Sequence, residues 1–123
     1  MNIDILHQPD SAIARITMNA GEELVAEAGS MIAMSSYINA STTLRQGKSS
    51  GILGGLKRMV AGESLFLSLF RSPTPDGEVF LAPKLMGDIL VYKMTSVGLV
   101  VQATSYLASE ANIDVNVGFQ GFK

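Results

Sequence analysis

The sequence predicts an all-β fold, a β-sandwich of repeated antiparallel units, and three observations carry that expectation. Apolar and polar residues alternate in short runs, the mark of half-buried strands. Turn signals built on Gly, Pro, Asn and Asp recur every 8 to 12 residues or so, which favours a sandwich or barrel over alternating strands and helices. A helical period occurs in one stretch only, near residues 52–60.

The elements follow in order. Residues 2–7 alternate Asn2, Ile3, Asp4, Ile5, Leu6 and His7 ahead of a Pro9-Asp10 turn, giving a first strand. In 12–18, Ala12, Ala14, Ile16 and Met18 share one face and Ile13, Arg15 and Thr17 the other. After the 19–22 turn, residues 24–28 form a third strand that ends at Gly29, and the apolar run from Met31 suggests a strand buried on both faces. A further strand is expected over 37–45. Beyond the central stretch, 65–70 alternates Leu65, Leu67 and Leu69 against Phe66, Ser68 and Phe70, so at least one ring is buried. Ser72-Pro73-Thr74-Pro75-Asp76-Gly77 is the strongest turn signal. Strands over 78–83, 89–94 and 99–103 complete the series. An internal repeat is also expected: 24–33 and 99–108 lie 75 positions apart and share Leu, Val, Ala, Ser and Ala in register.

At 123 residues the chain fits one domain, 1–123, with one core. Charged residues are 16% of the total, below the roughly 25% of typical soluble domains, which leaves little polar surface for a monomer and suggests a homo-oligomer. The formal charge of −2 argues against a nucleic-acid binder that tracks phosphates. With no cysteine there are no disulfides and no thiolate chemistry. No apolar run reaches membrane-spanning length and the N-terminus lacks a secretory pattern, so a cytoplasmic location is expected.

Gly47-Lys48-Ser49 resembles the end of a phosphate-binding loop, but the glycine that motif needs five positions earlier is Thr42. Ile52, Leu53, Leu56, Met59 and Val60 share one face of a short helix with Lys57 and Arg58 off it. Such a helix caps its own core or contacts a protein partner or a membrane surface; Ile52, Leu53, Leu56, Lys57 and Arg58 are the candidate contact residues. The lone His7 supplies no catalytic or metal-ligating set. Glu22 and Glu63 follow turn glycines, where a carboxylate is ordinary, whereas Glu27 falls in an apolar strand and requires an ion-pair partner, with Arg45 and Arg58 as candidates. Lys48, Lys57, Arg58 and Arg71 with Phe66 and Phe70 would form the basic, stacking face of an RNA-binding module.

Gly54-Gly55-Leu56-Lys57-Arg58 followed by Ala61-Gly62-Glu63-Ser64-Leu65-Phe66 combines with Glu27-Ala28-Gly29-Ser30-Met31, the segment from Leu81-Ala82-Pro83 to Gly87-Asp88-Ile89, and Tyr106-Leu107-Ala108-Ser109-Glu110. This ordered set resembles the TRAP-like mitochondrial-biogenesis family, named for an altered-inheritance-of-mitochondria member. The resemblance implies a sandwich of repeated units akin to the tryptophan-responsive RNA-binding attenuator protein, assembly into trimers or larger rings, and no established enzymatic activity or cofactor. Mitochondrial relatives are linked to inner-membrane organisation. Family members continue past the equivalent of Gly118 to Lys123 into a second half, so this chain is expected to be a fragment or a short form whose open strand edges other copies complete. The functional expectation is a non-enzymatic, oligomeric structural or scaffolding module; the alternative is a small-ligand or RNA-binding module acting at subunit interfaces.

Overall fold

The computed structural model describes residues 1–44 and 66–116, which form two antiparallel four-stranded sheets. The strands are β1 (Asn2–Leu6), β2 (Ile13–Met18), β3 (Glu23–Glu27), β4 (Met31–Met34), β5 (Asn39–Leu44), β6 (Phe66–Arg71), β7 (Gly77–Leu81) and β8 (Ala108–Glu110). One sheet runs β1-β2-β7-β4 and the other β5-β6-β3-β8. No α-helix occurs among the described residues; a single 3-10 turn spans Ala103–Ser105. The helix expected near 52–60 lies outside them, as does Gly47-Lys48-Ser49.

Alternation places the core. In β2 it buries Ala14, Ile16 and Met18, with Ala12 buried just before the strand, and leaves Ile13, Arg15 and Thr17 half-exposed. Gly77, Val79 and Leu81 do the same for the neighbouring β7. Their inward side chains meet Leu24 and Ala26 of β3, Phe70 of β6 and Ile38, so the main core lies between the sheets. Strand β3 is buried on both faces: Val25 points away from that core, where Leu67, Leu69, Tyr106, Ala111 and Val115 cover it. The Tyr106 hydroxyl donates to the Val25 carbonyl at 3.4 Å. The turns after β2 and β6 are tied together, because Gly21 N–H donates to the Ser72 carbonyl at 2.7 Å and Ser72 N–H to the Glu22 carbonyl at 3.2 Å.

Three expectations are corrected. The Met31–Met34 strand is not buried on both faces: β4 is an edge, with β7 on one side, its register shifts at Ile32, and Met31, Ile32 and Ala33 are exposed. Residues 89–94 and 99–103 are not strands, because no described strand pairs with them, and a β-rich sequence forms a ladder only where one does. The repeat fails at the level of elements for the same reason: Leu24 lies in the central strand β3, whereas its counterpart Leu99 is exposed and unpaired. The part of the second copy that does form a strand, Ala108 in β8, pairs with Ala26.

Candidate functional site

Between β7 and β8 the chain makes a long excursion. After β7 it stays beside β4, where Ala82 N–H donates to the Ser30 carbonyl at 2.9 Å, and then crosses the end of the sheet so that the Gly87 carbonyl accepts Ala12 N–H at 2.9 Å. The Gln8 amide donates to Asp88 Oδ1 at 2.9 Å, and Ile89 packs on the main core. At the far end Leu107 and Ala108 also pack on that core, and the Leu107 carbonyl accepts Glu27 N–H at 2.8 Å. The arm from Leu90 to Val101 is thus anchored at both ends. Its tip turns at Thr95–Gly98, where Val97 N–H donates to Thr95 Oγ1 at 3.2 Å.

Within the arm, Leu90 is 85% and Val100 96% exposed, and Val91, Tyr92, Val97, Leu99 and Val101 are exposed as well. The charged residue of this stretch is Lys93. Its two limbs form no ladder with each other, so the backbone N–H and C=O groups of a β-branched, apolar sequence are left without strand partners there. Scattered exposed apolar side chains are ordinary, but a contiguous set of this size makes the arm the candidate contact surface among the described residues. Nothing in the alternation distinguishes it from a buried strand, and for that reason the sequence reading placed it inside the sheets.

The four sheet edges differ. Strand β1 carries Asp4, which accepts from Arg15 at 2.9 Å on the exposed face. Residues 39–42 of β5 are exposed and mostly polar, and β8 is three residues long. Edge β4 is uncharged and apolar, with Ile32 54% exposed and Tyr37 exposed nearby. It lacks the lysines and prolines with which proteins usually block such edges.

The other candidates fall elsewhere. Glu27 ends β3 with its side chain 16% exposed, and Lys84 Nζ stands 3.7 Å from its carboxylate; Lys84 itself is well exposed, so this pair contributes about 0 to 1 kcal/mol. Ile52, Leu53, Leu56, Lys57, Arg58, Lys48, Arg45 and Glu63 lie outside the described residues. Of the stacking pair, Phe66 is exposed but Phe70 is buried in the core, so the two rings do not share a binding face. His7 is exposed at the end of β1. Among the described residues no three histidines or carboxylates gather as a metal site. None of the helices there is long and apolar enough to cross a membrane.

A shallow cleft lined by Glu22, Glu23 and Glu110 opens beside the N-terminus. Glu22 Oε1 accepts Asn19 N–H at 2.7 Å, and this hydrogen bond, reinforced by the N-terminal ammonium 3.0 Å from Oε2, holds its carboxyl below the ordinary value against an opposing cost of burial. A depressed carboxyl contributes stability that is complete above its unfolded pKa and is lost as pH falls through the lower folded one. Glu22→Gln should therefore lower the unfolding midpoint modestly at neutral pH, and the difference from the parent should shrink as urea titrations are repeated toward strong acid.

The family model described as mitochondrial biogenesis AIM24 matches residues 3–123. The chain belongs to this family. Comparisons with curated proteins and with solved structures gave no match. Membership gives a mitochondrial-biogenesis family, and by itself it assigns no chemistry to any side chain.

Proposed function

We propose that this protein is a non-enzymatic structural module that acts by assembling with copies of itself and by presenting the assembly to protein partners. The observation that carries this reading is the apolar arm from Leu90 to Val101, held outward by anchors at Gly87, Ile89 and Leu107. An enzyme concentrates its functional groups in a concave, partly dry site, whereas the feature among the described residues that invites contact is an exposed, apolar arm. Low charge supports the same reading, because an assembly needs less polar surface per chain. The lack of cysteine accords with a reducing compartment such as the cytoplasm.

Light scattering coupled to size exclusion tests the assembly. At micromolar concentration the mass should be a fixed multiple, three or more, of the 13.0 kDa chain. A clean 13.0 kDa species would overturn the reading.

A further inference from the structure

We propose that the Leu90–Val101 arm docks on a second copy of this chain and adds to the open edge of its β4. This rests on the assembly reading and goes further by naming the two surfaces that meet.

Each copy carries both halves of the contact. Among the described residues the arm offers backbone groups that belong to no ladder and apolar side chains, and β4 offers an edge that no described strand pairs, with Met31 and Ile32 exposed on it. Both are almost free of charge, so their union desolvates little beyond apolar surface and backbone groups that then bond to each other. Strands β1, β5 and β8 are poorer acceptors, being charged, polar or short respectively.

Area supports a copy over a small ligand. At on the order of 100 Å² each, the exposed apolar residues of the arm approach the roughly 800 Å² per partner of a standard interface. The arm and β4 are distinct surfaces of one chain. The arm leaves the sheet beside Gln8 and Ala12 and returns at Leu107, whose carbonyl accepts Glu27 N–H just before β4, whereas β4 itself ends the order β1-β2-β7-β4. Because the donor surface and the acceptor edge differ, their union between copies is head-to-tail and closes into a ring where the rotation allows.

The absence of cysteine makes the test direct. Ile32→Cys is mixed with Leu99→Cys, Val100→Cys or Val101→Cys, each in otherwise unchanged full chain, and the mixtures are oxidised mildly. At least one mixture should give a disulfide-linked dimer of the two different variants, while each variant alone stays largely unlinked. In parallel, the double variant Val91→Asp with Val100→Asp should lose assembly at micromolar concentration and keep the circular-dichroism spectrum of the parent, because both side chains are exposed. Linking of arm to arm in the Val100→Cys sample alone, or an assembly unchanged by the aspartates, would overturn the arm-to-β4 contact and leave the assembly reading standing. A monomeric parent would remove both.

Discussion

Truncating Phe70 to alanine should lower the unfolding free energy by about 3 to 5 kcal/mol. Its ring is buried in the main core, on a strand whose backbone pairs Phe70 with Leu24 on one side and Ala40 on the other. Those flanking strands fix the spacing, so the surroundings cannot collapse into the space the ring leaves, and the cavity cost adds to the lost transfer energy. A domain of this size is stable by about 5 to 15 kcal/mol, so the variant should sit near the edge of folding. Phe66→Ala, on the same strand but exposed, should change stability by only about 0.5 kcal/mol. Urea titration of both at one protein concentration, fixed because assembly would add to apparent stability, checks the pair. Equal losses would contradict the placement of the two rings.

The contrast between those rings shows what the sequence makes legible. Alternation in 65–70 demands that one ring be buried, and pairing with Leu24 decides that it is Phe70. The same logic places Ala14, Ile16 and Met18 inside, because a two-residue period needs nothing beyond the strand itself. Edges and ladders are different, since they depend on distant residues. Met31–Met34 reads as doubly buried, yet as an edge it keeps an open side. Ile89–Met94 and Leu99–Ala103 have the composition of strands but pair with no described strand, and composition cannot report a missing neighbour. Glu27 shows the same limit: its apolar flanks suggest Arg45 or Arg58 as a partner, whereas the cation near it is the exposed Lys84, brought close by the path of the chain after β7. The candidate surface was hidden because a buried strand and an exposed apolar arm draw on the same residue types.

Gly77 supplies the second large effect, from crowding and not from backbone conformation. A Cβ at this position would lie 2.7 Å from Ile38 Cδ1 and would collide with the Ser72 hydroxyl. Ser72 is fully buried and its hydroxyl donates to the Thr74 carbonyl at 2.6 Å, closing the turn that leads into β7. Gly77→Ala must therefore displace either the Ile38 side chain, which is part of the core, or a hydroxyl whose replacement partner is not at hand. The expected loss is about 1 to 3 kcal/mol in a urea titration. Ser72→Ala alone should cost about 1 kcal/mol, for the lost hydrogen bond. Because the serine oxygen is the nearest obstacle, the double variant should be more stable than the sum of the two losses predicts. Additive losses would mean that the crowding comes from Ile38 instead, and Ile38→Val, which removes the Cδ1 atom, should then relieve it.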